Sequence, residues 1–251
     1  MKITKDVFYT ADNDPFRSLD IFLPEQNGFP VFVYFHGGGL VAGNRSGMDN
    51  TAKYLCERGV ALVSAEYRLM PSAAYPDFLD DAAAAVKWVT DNIPSMGGNG
   101  KIFVGGSSAG GYISQMLCFD ARWLGKYGID CAEITGYIHD AGQPTAHFNV
   151  LKSRGIDSRR VIIDETSPLY HVGILPKVSP MLVIWSDHDM ENRPEQTALL
   201  LSTLKHFRYP QENIESVMMH GKHCQYVYEL DGEGESRFAK IVYPFIERFS
   251  R

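Results

Sequence analysis

The chain has 251 residues, 45% of them hydrophobic and 22% charged, which is the composition of an ordinary globular protein with one large core. Its net charge of −6 disfavours nucleic acid as a partner. The first residues lack the apolar core of a signal peptide, and no apolar run reaches the ~18 residues that a membrane helix needs, so we expect a cytoplasmic protein with no membrane partner.

The N-terminal half has the pattern of a sheet that begins with a hairpin. Alternating apolar and polar residues at 3–10 and 17–23, on either side of a turn at 12–15, predict two antiparallel edge strands. A segment at 76–93 begins with proline and places its apolar residues on one face, which predicts a helix. Continuously apolar runs, typical of parallel strands covered on both faces, lie at 31–35, 60–65 and 102–104.

The same alternation continues to the C-terminus. Strands are predicted at 134–138, 181–185 and 214–219, and helices at 195–207 and 236–249. Strands alternating with helices predict the α/β class, with a mostly parallel, doubly wound sheet and an active site at the carboxyl ends of the strands.

One long segment, residues 143–179, lacks a clean period. It is longer than an ordinary loop and carries a basic cluster of Arg154, Arg159 and Arg160. We expect it to form a small cap-like insertion over the active site, within a single domain that spans residues 1–251.

The most informative motif is the pentapeptide Gly106–Gly110, which directly follows an apolar strand. It fits G-x-S-x-G, in which a serine occupies a strained strand-to-helix turn and exposes its hydroxyl above the sheet. Ser107 also lies among small residues. The glycine spacing nevertheless favours Ser108 as the nucleophile.

A second motif, His36-Gly37-Gly38-Gly39, follows an earlier strand. Its bare backbone can direct amide hydrogens at a developing negative oxygen, which acyl transfer requires. Together with Ala109, just after the serine, Gly38 and Gly39 are the predicted oxyanion hole. His36 is predicted to be an orienting residue and not the base.

A serine nucleophile needs a base and an acid from other strand ends. The last strand leads into His220 and His223, and His223 is favoured because it lies further into the loop. The preceding strand leads into Asp187 and Asp189, and Asp189 is favoured because it lies deeper in its loop and can reach across. Asp187 and His220 remain the alternatives.

With these motifs the chain resembles the hormone-sensitive-lipase-like branch of the α/β hydrolases, the carboxylesterases and acetyl esterases that carry an HGGG run. The block 67–81, which begins Tyr-Arg-Leu-Met-Pro, and the run 167–169 are also similar to that family. The chain order of serine, acid and histidine is the order associated with this fold. The resemblance implies that Ser108 is the nucleophile, Asp189 the acid and His223 the base.

The chain also departs from the family pattern. The HGGG run begins at residue 36, so we expect little room for N-terminal cap helices and an open pocket. Leu40 stands where the family often has an aromatic residue, and Met70 and Ser72 replace the commoner alanine and glutamate. These differences leave the acyl preference open.

The resemblance and the motifs predict a serine ester hydrolase for small, short-acyl (acetyl to butyryl) esters, working through an acyl-enzyme. The alternatives are an amide hydrolase of the same fold, such as a formamidase or peptidase, and a non-catalytic small-ligand receptor. The expected partner is a small-molecule ester, and a homodimer is one assembly state to consider. No cofactor or metal is expected, because a metal site at 187–189 lacks further ligands and the four scattered cysteines form no zinc pattern.

Overall fold

The computed structural model describes residues 1–251 and is built around one eight-stranded sheet. The strands are β1 (Lys2–Phe8), β2 (Ser18–Leu23), β3 (Phe29–Phe35), β4 (Ala61–Ala65), β5 (Gly98–Ser107), β6 (Gly136–Asp140), β7 (Met181–His188) and β8 (Ile214–Lys222). Their order across the sheet is β1-β2-β4-β3-β5-β6-β7-β8. β1 pairs antiparallel with β2, β2 pairs antiparallel with β4, and every other pair is parallel.

Helices cover both faces of this sheet. They are α1 (Asp49–Glu57), α2 (Asp77–Asn92), α3 (Ala109–Phe119), α4 (Ala121–Gly125), α5 (Phe148–Ser153), α6 (Pro168–His171), α7 (Arg193–His206) and α8 (Arg237–Ser250). The apolar side chains of α2, α3 and α7 pack in one core cluster, and those of α1 and α8 pack in the other. Side chains of β3 alternate between the two clusters, as a strand buried on both faces requires.

The predicted fold class is confirmed, including the antiparallel N-terminal pair. The strand predicted at 134–138 instead runs over Gly136–Asp140, because residues 131–133 form a 3₁₀ turn that delays its start. The helix α1 was not predicted. None of the helices combines the length and the apolar character needed to cross a bilayer. All four cysteines are free thiols.

The parallel strands place their carboxyl ends along one edge of the sheet. Ser107 is the last residue of β5, Asp140 ends β6, and the loops after β7 and β8 begin at 189 and 223. Residues 143–179 run above this edge as α5, α6 and connecting turns. The topology therefore gathers the candidate site residues from distant parts of the sequence.

Candidate active site

Ser108 occupies the sharp turn between β5 and α3. Its backbone has φ 57° and ψ −110°, a conformation that L-residues adopt only where the surrounding structure imposes it. The Ser108 amide donates to the Asp140 carbonyl oxygen at 2.8 Å, and the Ser108 carbonyl accepts from the Tyr112 amide at 2.9 Å. Both flanks of the turn are thus held, one by β6 and the other by the first turn of α3.

The glycines of the G-x-S-x-G motif are explained by the close packing of this turn on β3. A Cβ atom on Gly110 would lie 1.9 Å from the Phe35 carbonyl oxygen, and one on Gly106 would lie 2.4 Å from the same atom. No side chain fits at either position. The strained turn can exist only with glycine on both sides of the serine.

His223 and Asp189 lie in line with the serine hydroxyl. The Ser108 Oγ is 2.8 Å from His223 Nε2, and His223 Nδ1 is 2.5 Å from Asp189 Oδ1. Because a carboxylate only accepts, Nδ1 carries the hydrogen and Nε2 is free to accept the serine proton. The Asp189 side chain is fully buried, and its Oδ1 also accepts from the Met190 amide at 2.6 Å.

The alternative residues form a separate pair outside the cavity. His220 Nδ1 donates to Asp187 Oδ2 at 2.7 Å, and the Gly221 amide donates to Asp187 Oδ1 at 2.9 Å. These two bonds, the backbone bond first, lower the pKa of Asp187 to about 2. The His220 side chain is 84% exposed and makes no contact with Ser108. Asp187 and His220 therefore tie the ends of β7 and β8 together.

The glycine run after β3 has fixed carbonyls and free amides. The Gly37 carbonyl accepts from His36 Nδ1 at 2.7 Å, and the Gly39 carbonyl accepts from Asn149 Nδ2 at 2.6 Å. The Gly38 carbonyl accepts two backbone amides, at 3.2 and 3.0 Å. Neither the Gly38 nor the Gly39 amide donates a hydrogen bond within the protein. The run is therefore a set of unused donors, the arrangement that binds an anion.

Ala109 and His36 occupy the positions that the motifs predict. Ala109 is the first residue of α3, where an amide has no acceptor within the helix, and it is fully buried. His36 is buried and stacks on Tyr67, with ring centroids 4.4 Å apart. The contacts of His36 are with the glycine run and with Glu66, whose Oε1 is 3.5 Å from Nε2. His36 thus holds the loop and does not contact the serine.

Sequence reasoning missed two residues that build this site. Asn149 at the start of α5 anchors the Gly39 carbonyl, and nothing in the local sequence signals this contact across 110 residues. Asp140 ends β6 and lies fully buried, with its Oδ1 accepting from the Tyr226 hydroxyl. Burial raises the pKa of Asp140 to about 6, although His223 and neighbouring hydroxyls oppose the rise. The polar residues 139–140 at the end of an apolar strand were the sequence signal that could have identified Asp140.

Ser108 and His223 open into a cavity of about 690 Å³. Gly38 and Gly39 line the same cavity, so the free amides and the hydroxyl face one space. Val41, Met190 and Tyr228 line it while being 50%, 42% and 58% exposed, so the cavity is open to solvent. Its size is within the range of small-molecule sites.

One group of carboxylates has the spacing to hold a cation. Asp231, Glu233 and Glu235 present oxygens within 4.8 Å of one another. The Lys240 ammonium lies among them, 3.0 Å from Glu233 and 2.7 Å from Glu235, and it also pairs with Asp231. A protein cation therefore already occupies the cluster, and none of the three carboxylates lines the catalytic cavity.

Comparison with known proteins bears on the fold of the chain. A family model described as the alpha/beta hydrolase fold matches residues 32–139. Esterase LipI of Mycobacterium tuberculosis is 39% identical over 104 residues, and Carboxylesterase NlhH of the same organism is 40% identical over 102 residues. These alignments cover 41% and 40% of this chain, and about a third, 32%, of each relative's length.

Solved structures match the whole fold. Esterase B from Lactobacillus rhamnosis superposes with a TM-score of 0.77 at 16% identity, over 99% of this chain and 86% of that one. A truncated carbohydrate esterase from gut microbiota superposes with a TM-score of 0.75 at 18% identity, over 100% and 96% of the two chains. The chain therefore has the α/β-hydrolase fold, and its residues 32–139 match the family model of that fold. The family match confirms the resemblance to the hormone-sensitive-lipase-like branch that the motifs indicate.

Proposed function

We propose that the protein is a serine ester hydrolase in which Ser108, His223 and Asp189 form the catalytic triad. The observation that carries the proposal is the continuous hydrogen-bonded line from the serine hydroxyl to the buried carboxylate, at 2.8 and 2.5 Å. The two relatives described above, Esterase LipI and Carboxylesterase NlhH, carry the names of esterases, which supports the same reaction.

The proposed reaction follows from the geometry. His223 Nε2 takes the proton as Ser108 Oγ attacks the ester carbonyl, and Asp189 stabilises the imidazolium that forms. The amides of Gly38, Gly39 and Ala109 donate to the tetrahedral oxyanion. His223 then returns the proton to the departing alkoxide, leaving an acyl-enzyme. Water activated by His223 cleaves the acyl-enzyme and regenerates the serine.

We further propose that the substrates are small esters with short acyl groups, acetyl to butyryl, and that residues 143–179 are a cap-like insertion within a single domain. Support comes from the open cavity, whose apolar side chains Val41, Met190 and Val227 offer limited cover for a long chain. Phe148 and Asn149 of the insertion line the same cavity.

Hydrolysis of p-nitrophenyl acetate, butyrate and octanoate tests both parts of the proposal. Ser108→Ala should reduce kcat by at least about 10⁴-fold, as removal of a triad nucleophile does. Ser107→Ala, one residue away, is the matched control and should retain the rate. Activity that survives in Ser108→Ala would remove the proposed nucleophile, and a preference for octanoate would remove the short-acyl assignment. A wild type that cleaves amides but no esters would instead indicate an amidase.

A further inference from the structure

A second cavity, of about 380 Å³, adjoins the catalytic one. The two cavities share Phe148 and Met190 as a common wall. The second cavity is polar: it is lined by three arginines, Arg159, Arg160 and Arg193, against one acid, Glu191. In a protein with a net charge of −6, this local excess of positive charge next to the reactive serine is unusual.

Arg193 is a buried cation without a carboxylate partner. The residue is only 4% exposed, and its guanidinium donates to the Ala141 carbonyl at 2.5 Å and to Gln143 Oε1 at 3.3 Å. Both acceptors are neutral. Buried charges in proteins are normally paired with an opposite charge. Burial here lowers the pKa of Arg193, although the charge of Asp189 opposes the fall from a distance. The cavity wall therefore holds a buried positive charge that forms no salt bridge.

A directed chain of hydrogen bonds adds a free donor beside this charge. Gln143 Nε2 donates to Thr145 Oγ1 at 3.1 Å, and the threonine hydroxyl donates to Gln196 Oε1 at 2.9 Å. Arg193 and the Phe148 amide both donate to Gln143 Oε1, which fixes the orientation of the Gln143 amide. The direction of the chain leaves Gln196 Nε2 as a donor with no acceptor in the protein.

The N-terminus of α7 and an arginine at the rim add to the positive potential in the cavity. Arg193 is the first residue of α7, a helix of 14 residues, so the positive end of the helix dipole faces the cavity. At the rim Arg160 is exposed and forms no ion pair, whereas Arg159 is bound by Asp157. Glu191 is the one acid of the lining, and it is exposed.

We propose that Arg160, Arg193 and Gln196 form an anion pocket that binds a carboxylate carried by the substrate. A carboxylate is planar, accepts two parallel hydrogen bonds from a guanidinium and would neutralise the buried charge. Because the cavity shares a wall with the catalytic cavity, the carboxylate and the ester belong to one molecule. This inference rests on the proposed esterase function and narrows its substrates to esters of dicarboxylic acids or of hydroxy acids.

Pairs of esters that differ only in charge test the pocket. On the acyl side the pair is mono-p-nitrophenyl adipate and its methyl ester; on the alcohol side it is 4-acetoxybenzoate and its methyl ester. We expect kcat/KM for the charged member of at least one pair to exceed that of the neutral member by about tenfold at low salt. The ratio should fall as sodium chloride is added, because salt screens the attraction.

Two variants test whether a preference for the charged ester comes from the anion pocket. Arg160→Gln should reduce the charged-to-neutral ratio about fivefold, as expected for an exposed charge. Gln196→Glu keeps the acceptor that Thr145 uses but places a carboxylate in the cavity, and it should abolish the preference. Arg154→Gln removes the same charge from the same segment without lining the cavity, and it should leave the ratio at the wild-type value.

The outcomes separate the pocket from the esterase proposal. Hydrolysis of the neutral esters with no preference for either charged ester would overturn the pocket alone, as would a preference that survives in both Arg160→Gln and Gln196→Glu. If no ester is cleaved, the esterase proposal fails, and the anion pocket is then tested by the binding of a free dicarboxylate. Adipate at constant ionic strength should then raise the Tm of the wild type but not that of Gln196→Glu, and equal Tm values would overturn the pocket.

Discussion

Asp140 should make the protein less stable as the pH rises through the weakly acidic range. Burial raises its pKa from the ordinary 3.8 to about 6. Between these two values the unfolded chain releases a proton that the folded protein retains, so the free energy of unfolding falls with increasing pH. The difference of about 2 in pKa corresponds to about 3 kcal/mol.

Asp140→Asn removes this titration while keeping an oxygen that can accept from Tyr226. The backbone carbonyl of Asp140, which holds the Ser108 amide, is unchanged by the substitution. The stability of the variant relative to the wild type should therefore rise by about 3 kcal/mol between about pH 4 and pH 7. Titrating groups that do not interact with Asp140 cancel in this difference.

Urea denaturation of both proteins at the two pH values measures the effect. A relative stability that is the same at about pH 4 and pH 7 would refute the argument, because it would mean that the carboxyl ionises equally easily in both states. The Asp140 carboxylate also lies near enough to His223 to interact with its charge. We therefore expect Asp140→Asn to have a lower kcat at neutral pH, since the imidazolium loses a favourable neighbour.

Three further substitutions have defined outcomes. Asp187→Asn should show the opposite pH dependence, because the pKa of Asp187 is lowered to about 2. In urea denaturation the variant should be less stable than the wild type at neutral pH, and the difference in stability should narrow from about pH 4 to pH 2. Its kcat should equal that of the wild type. Gly110→Ala should lower the free energy of unfolding by about 4 kcal/mol or prevent folding, because its Cβ would lie 1.9 Å from a carbonyl oxygen. The control Gly125→Ala, which has open space around its Cβ, should raise Tm slightly. Asn149→Ala should lower kcat about tenfold with little change in KM, because it frees the Gly39 carbonyl; an unchanged kcat would show that this anchor is dispensable.

Much of the fold could be predicted because its signals are local. Buried parallel strands are continuously apolar, and the turn before Ser108 requires glycine for steric reasons that any sequence must satisfy. The helix α1 was missed because it follows a glycine-rich loop and its N-terminus has no side-chain cap to mark it.

The sequence gives only weak signals for which acid pairs with which histidine. Both pairs are well formed: Asp187 binds His220 at 2.7 Å, and Asp189 binds His223 at 2.5 Å. Only the three-dimensional placement of Ser108, more than 100 residues earlier in the chain, distinguishes them. The burial of Arg193 could not be predicted from the sequence either, because an arginine at a helix start is normally a solvated surface residue.

The site divides between the two halves of the chain. The segment that the family model matches, 32–139, contains the glycine run and the serine turn, at the centre of the sheet. The proposed acid, the proposed base and the proposed anion pocket all come from after residue 139, around β7, the edge strand β8 and the segment above them. The proposed base and acid thus share the second part of the chain with the proposed anion pocket, so a change of loop position there would alter both, whereas the strained serine turn would be untouched.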